Sequence, residues 1–304
     1  MIRVVMLDLG MTLIDAQQRP FAHVPEALAA IAGFKAADGK LLRSCLVSDF
    51  TMAEPPNAAQ KASALFQQYL TVLAATGLQP FFEPVQQRVT LSTQGGALKP
   101  ARAVFETALR RLRVKATLAE CLFITENAAH IRAARTQLQM QTLRFRPGGQ
   151  TATAFGDWSQ APALIAHRLG PLQATNLHAA VGVHLAAKGV TLTALTPAGA
   201  PGTYRASGSV WHPVALPGAR GRQPVQVAVP VAGKVSRGAS GALRSTLHAP
   251  SEATLAETTA FVAALATHQQ IGRAGAAREA GVSHEIVTAP DGQQRLVRKR
   301  FSAA

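Results

Sequence analysis

One pattern governs the first half of this chain: a short, β-branched apolar run, then a stretch with helical spacing, then another apolar run. The apolar runs are residues 2–8, 44–48, 121–124 and 141–145, with residues 85–91 as a further strand. Between them, residues 25–34, 57–76, 100–113 and 128–138 carry helical stripes. In one of these, Val104, Ala108 and Leu112 recur every fourth residue, with Pro100 expected in the first turn. Strands this uniformly apolar must be buried on both faces, which requires helices above and below the sheet. The expected fold class is therefore α/β, a doubly wound parallel sheet. Ligands of such sheets gather beyond the carboxyl ends of the strands. At those ends stand Asp8 to Thr12, Ser48 with Asp49, and Thr125 to Asn127, while Lys99 immediately precedes a helix.

The texture changes after about residue 170. Residues 196–222 are studded with proline and glycine, which is turn and loop chemistry between short strands. Residues 224–231 alternate apolar and polar as a strand does. Ser251 opens a helix running to about residue 270, and residues 284–301 form a hairpin turning at Pro290, Asp291 and Gly292. The chain thus reads as two domains, 1–170 of α/β type and 171–304 a smaller, basic α+β domain. Its 304 residues suit that division, since single cores rarely grow past about 250.

With 48% hydrophobic and only 15% charged residues, general disorder is excluded. The formal charge of +15 divides unevenly: 18 basic and 11 acidic residues up to residue 170, then 13 and 5. An anionic or protein partner is accordingly expected on 171–304. Nucleic acid is the weaker expectation, because Arg295, Arg298, Lys299 and Arg300 have only Phe301 beside them for stacking; an exposed basic edge strand explains that segment as well. No apolar run approaches the ~20 residues that cross a bilayer, and Asp8 interrupts the N-terminal run before a signal-peptide core forms. Cys45 and Cys121 sit in apolar strand runs and read as buried, reduced thiols. A cytoplasmic protein with no membrane partner is expected.

Four elements together resemble the haloacid dehalogenase-like (HAD) superfamily. Val5-Met6-Leu7-Asp8-Leu9-Gly10-Met11-Thr12 is similar to the family's first motif, an apolar strand followed by Asp-x-Asp-x-Thr. Leu46-Val47-Ser48 resembles the strand ending in Ser or Thr, and Leu98-Lys99-Pro100 the Lys-Pro helix. Cys121-Leu122-Phe123-Ile124-Thr125-Glu126-Asn127 stands where the family places an acidic pair or trio after a strand. The resemblance covers residues 1–146. It implies a Rossmannoid phosphatase or hydrolase of capless or minimal-cap type, acting on a phosphorylated substrate through an aspartyl-phosphate. Asp8 would be the nucleophile, and Thr12, Ser48 and Lys99 would hold the phosphoryl group. Asp8, the Gly10 carbonyl and Glu126 would bind Mg2+, an ion that prefers oxygen ligands. Asn127 and His130 would stand in support.

Three positions depart from that pattern. Gly10 replaces the family's second Asp, the general acid, a change that typically costs about 10²–10⁴ in rate. Thr125 removes a negative charge beside Glu126, and His130 stands where an acid is common. Only residues 15–44 separate the first two motifs, too few for a full cap, although residues 50–77 are long enough to cover part of the site. The competing reading is a catalytically degenerate HAD-like scaffold that binds a ligand or a protein without turnover. Dehalogenation is a third reading, disfavoured because no cap encloses a small haloacid.

Overall fold

The structure, a computed structural model, describes residues 1–52, 58–149, 151, 153–170, 173–217, 223–273 and 281–299. It comprises two compact units, residues 1–184 with 237–243, and residues 185–236 with 244–304.

The first unit carries β1 (Val4–Leu7), α1 (Val24–Ala32), β2 (Arg43–Ser48), α2 (Ala58–Ala75), α3 (Val85–Arg88), β3 (Val89–Leu91), α4 (Ser92–Gly95) and α5 (Arg102–Leu112). These are followed by β4 (Cys121–Thr125), α6 (Ala128–Thr136), β5 (Gln141–Phe145), β6 (Ala154–Phe155), α7 (Ala161–Arg168) and most of α8 (Ala174–Ala186). All six strands are parallel, in the order β3-β2-β1-β4-β5-β6. The α/β expectation holds. Successive residues of β1 point to opposite faces, so Val4 and Met6 enter a core with Cys45, Val104, Phe105, Phe123 and Leu138 under α5 and α6. Phe105 and Phe123 meet edge to face, with centroids 5.1 Å apart. Beside β5 and β6, Phe21, Phe145, Phe155 and Trp158 form a second aromatic cluster. Burying each such ring is worth about 1.5–3 kcal/mol.

The order of the sheet fixes where a site can form. The chain builds outward from β1 through β2 to β3, then returns to lay β4 on the other side of β1. At that reversal the following loops leave in opposite directions and open a crevice. Asp8 follows β1 and Glu126 follows β4, one on each side of it.

The second unit contains β7 (Val190–Pro197), β8 (Thr203–Val214), β9 (Val225–Arg237), β10 (Leu243–Leu247), α9 (Glu252–Thr267), β11 (Ile271–Arg273), β12 (His284–Thr288) and β13 (Gln294–Arg298), apart from the 237–243 stretch of β9 and β10. Its sheet is mixed, in the order β11-β12-β13-β9-β8-β7, with β10 beside β9. Val214, Val225, Val227 and Leu296 pack against Val262 and Leu265 of α9. Ser251 caps α9 by accepting the Thr254 amide, as expected.

Several elements differ from expectation. Only residues 89–91 of the 85–91 run are strand; the preceding four form a helical turn. Helix α5 begins at Arg102 with Ala101 as its cap, so Pro100 lies outside it. Residues 203–214, expected as loop, form one long strand paired throughout with β9. Gly208 permits this, because a Cβ there would stand 2.5 Å from the Thr191 carbonyl. Pro213 lies beyond the end of the β7 pairing, where a missing amide costs no bond on that side. Strand β13 is internal, between β12 and β9, and not the basic edge expected. Arg300 and Phe301 lie outside the described residues. No helix among the described residues is long and apolar enough to cross a membrane.

Candidate active site

Asp8, Ser48, Lys99 and Glu126 line one pocket of about 460 Å³ beyond the sheet's carboxyl edge, together with Gly10, Asn127 and His130. Their convergence follows from register: β1 lies between β2 and β4, so the residues after Leu7, Val47 and Ile124 emerge side by side.

Asp8 is the centre of the polar network. Its Oδ2 lies 2.5 Å from Lys99 Nζ and accepts the Thr125 hydroxyl at 3.0 Å. Its Oδ1 accepts the Leu9 amide at 2.9 Å and, more distantly, the Ser48 hydroxyl at 3.4 Å. Ser48 has one proton, and a carboxylate offers none, so the 2.8 Å contact between Ser48 and Tyr69 is donated by Tyr69. Burial pushes the Tyr69 phenol well above its ordinary range, which keeps that proton in place. Lys99 is itself locked: Nζ donates to the Val47 carbonyl at 3.1 Å, and its backbone amide donates to Asp49 Oδ1 at 2.8 Å. The lysine side chain is 1% exposed and that of Asp8 13%, so the pair meets solvent only from the carboxylate side.

Thr12 is fully buried and does not line the pocket. Its hydroxyl donates to Glu126 Oε2 at 2.6 Å and accepts the Glu126 amide at 3.1 Å, while Trp158 Nε1 donates to the Thr12 carbonyl at 2.9 Å. Thr125 stands within 3.0 Å of both Asp8 Oδ2 and Glu126 Oε2, its single proton shared between two carboxylates. Arg144 Nε holds the Glu126 carbonyl at 2.9 Å. Asn127 accepts from the Ala129 and His130 amides and so caps α6. His130 points Nε2 toward Asp49 Oδ2 at 4.0 Å. Burial, and then the Lys99 charge, hold its pKa below the usual histidine value, so it is neutral at pH 7.

The first motif's glycine is exposed, and a Cβ added there would meet no atom within 4 Å. The position holds no acid and is not filled by another side chain. Residues 50–77 do reach the site, through Phe50, Tyr69 and Val72, with Phe50 and Tyr69 edge to face at 5.9 Å. Sequence spacing pointed to Asp8, Lys99, Ser48 and Glu126. It placed Asp49 at the same edge without a role and missed Tyr69 and Trp158, whose roles rest on contacts between residues far apart in the chain; Tyr69 alone had a signal, as a lone phenol on an apolar helix stripe.

No protein-family model matches the chain, and no curated protein matches it. Among solved structures, it is similar to the magnesium-bound HAD-hydrolase YfnB from Bacillus subtilis, with 14% identity over 50% of this chain and a TM-score of 0.35. The match spans 57% of that protein's length. An uncharacterized protein from Listeria monocytogenes serotype 4b matches 52% of this chain and 93% of its own, with 13% identity and a TM-score of 0.32.

Proposed function

We propose that the chain is a HAD-like, Mg2+-dependent hydrolase of phosphate monoesters. The observation that carries this reading is the buried Asp8–Lys99 pair facing a pocket at the sheet's reversal point. A carboxylate oxygen that attacks phosphorus must approach an anion, and a fixed cation beside it offsets the repulsion. Asp8 forms the new P–O bond, the ester oxygen leaves with its electron pair, and a water then attacks the acyl phosphate to release phosphate and restore Asp8. Ser48, held by Tyr69, donates to the phosphoryl oxygens, and Lys99 balances their charge. Thr12 acts through Glu126, which it orients.

Among the described residues no group of three or more His, Cys, Asp or Glu converges on a metal position. The donors that remain, the carboxylates of Asp8 and Glu126 and the Gly10 carbonyl, are all oxygen, and Mg2+ is commonly held by one or two carboxylates and water. The set fits. When bound there, the ion would neutralise phosphoryl charge.

Gly10 shapes the substrate range. With no acid to protonate the departing oxygen, esters whose leaving group is stable as an anion are favoured, so aryl phosphates should turn over and alkyl phosphates scarcely. The test is release of nitrophenol from p-nitrophenyl phosphate with Mg2+, by the wild type and Asp8→Asn. Turnover that Asp8→Asn abolishes supports the proposal; absent turnover, or turnover the substitution leaves intact, rejects it. Absent turnover would favour the second reading, a HAD-like scaffold that binds without reacting. Its supporting observation is the same empty position at Gly10, together with a Glu126 oxygen already committed to Thr12 and Thr125.

A further inference from the structure

A second cleft in the first unit, of about 410 Å³, is lined by four arginines and no carboxylate among the described residues. The sequence puts them there by two periodicities. Ala128, Ile131, Arg132, Arg135 and Thr136 share one face of α6, at spacings of three and four. Arg144 lies on β5 and Arg146 two residues on, pointing the same way while Phe145 between them enters the aromatic cluster. The turn through Gly149, with Thr151 and Thr153, forms the third wall.

Arg146 and Gly149 are held by the backbone around them. The Arg146 amide donates to the Phe155 carbonyl at 2.8 Å, and its carbonyl accepts the Gly149 amide at 2.9 Å. Gly156 lies directly against them: a Cβ there would stand 2.8 Å from the Gly149 nitrogen and 2.9 Å from the Arg146 carbonyl. Arg135 is oriented by Thr142 Oγ1, at 3.1 Å from Nη2, and Arg144 by the Glu126 carbonyl. Among the described residues none of the four makes an ion pair, whereas Arg3, Arg19, Arg102 and Arg295 each do. Four guanidinium groups gathered without a counter-charge repel one another unless an anion joins them. One phosphoryl group brings a charge of about −1.5 to −2 at pH 7, which is too little to balance four.

We infer that this cleft binds a small anion carrying two linked phosphoryl groups, a diphosphate moiety, held by forked contacts from Arg132, Arg135, Arg144 and Arg146. The threonine hydroxyls supply neutral donors, and Ala128, Ile131 and Ala154 form an apolar side. The site is separate from the Asp8 pocket and shares none of its lining residues, although Asn127 of that pocket and Ala128 of this cleft are neighbours in sequence. It adjoins it through Arg144, whose grip on the Glu126 backbone links an occupant of the cleft to the position of that carboxylate.

The test is calorimetric titration of the full chain with inorganic pyrophosphate in the presence of a chelator, at low and physiological salt. Saturable binding that weakens with salt is expected, at least about tenfold tighter than inorganic phosphate. Arg132→Ala with Arg146→Ala should weaken it by roughly a hundredfold, about tenfold for each charged hydrogen bond removed. Asp8→Asn should leave it unchanged. Both arginines are exposed, so the double variant should melt no lower than the wild type without ligand, since it relieves repulsion. ADP in place of pyrophosphate distinguishes a nucleotide's diphosphate from a free one. The inference is overturned by no binding at millimolar pyrophosphate, by binding the double variant retains, by binding that Asp8→Asn removes, or by a double variant that melts lower.

Discussion

At the scale of single residues, the proposed chemistry turns on the two carboxylates, Thr125 and Gly10. An acid at position 125 would bring a third negative group to within hydrogen-bond distance of Asp8 and Glu126; the threonine hydroxyl there lets both carboxylates share one proton. The resemblance to the HAD pattern marked this departure but read it only as lost charge, because the bridging hydroxyl exists only once β1 and β4 lie side by side. At Gly10 the opposite change is open: the position is exposed and a Cβ meets no neighbour. Gly10→Asp is therefore expected to fold normally and to raise turnover of alkyl phosphates by about 10² or more, with a smaller gain on aryl phosphates. Phosphate release from an alkyl ester measures it, and equal gains on both substrates would count against a missing general acid. The Asp8–Lys99 pair makes a separate stability prediction. Lys99→Met strands a buried carboxylate and should cost about 3–5 kcal/mol, whereas adding Asp8→Asn should recover part of that loss. Denaturant titration of the two single variants and the double variant reads the coupling; strict additivity would mean the pair contributes nothing.

Among the elements, legibility followed periodicity. Strands β1, β2, β4 and β5 and helices α1, α2, α5 and α6 were readable because each has its own burial pattern, and the order of motifs then placed Asp8, Ser48, Lys99 and Glu126 at one edge. Residues 203–214 were not, since Gly208 and Pro213 signal turns in isolation and are admitted to β8 only by how closely β7 approaches and where it ends. The arginine cleft was equally hidden: its members come from α6, β5 and just beyond, whereas Arg110, Arg111 and Arg113 lie close together in the sequence at the end of α5 and read as a solvated helix end. Arg111 is in fact partly buried, donating to the Val89 carbonyl and lying over the Phe66 ring. Trp158 shows how one element supports another. Its Nε1 bond to the Thr12 carbonyl ties the turn before α7 to the loop that orients Glu126. Trp158→Phe keeps most of the apolar contact but leaves that carbonyl unpaired, so a loss of about 1–3 kcal/mol is expected. If the loop matters to the site, kcat on an aryl phosphate falls with it; destabilisation with kcat unchanged would confine Trp158 to folding.

Taken whole, the molecule carries a large positive charge, and three partly buried histidines act in the same direction as pH falls. Burial lowers the pKa of His130 and His167 in the first unit and of His284 in the second, and neighbouring cations, Lys99, Arg237 and Arg298 respectively, lower it further. A histidine whose folded pKa lies below its unfolded value of about 6.5 binds its proton more readily in the unfolded chain, so stability falls as pH drops through and below that value. Carboxylates do not offset this. Asp15, Glu120 and Asp291 are held below their ordinary values chiefly by backbone amide donors, so their stabilisation persists until well below pH 5. The chain has two tryptophans, Trp158 in the first unit and Trp211 in the second. In a Trp211→Phe background, fluorescence therefore follows the first unit alone. Urea unfolding of that variant is expected to show lower stability at pH 5.5 than at 7.5, with the difference reduced by His130→Asn, which removes one of the two histidines held below their ordinary pKa in that unit. Stability that is flat or rises on acidification would mean that the histidines gain protons as easily folded as unfolded, and that the cations beside them are better screened than their burial implies.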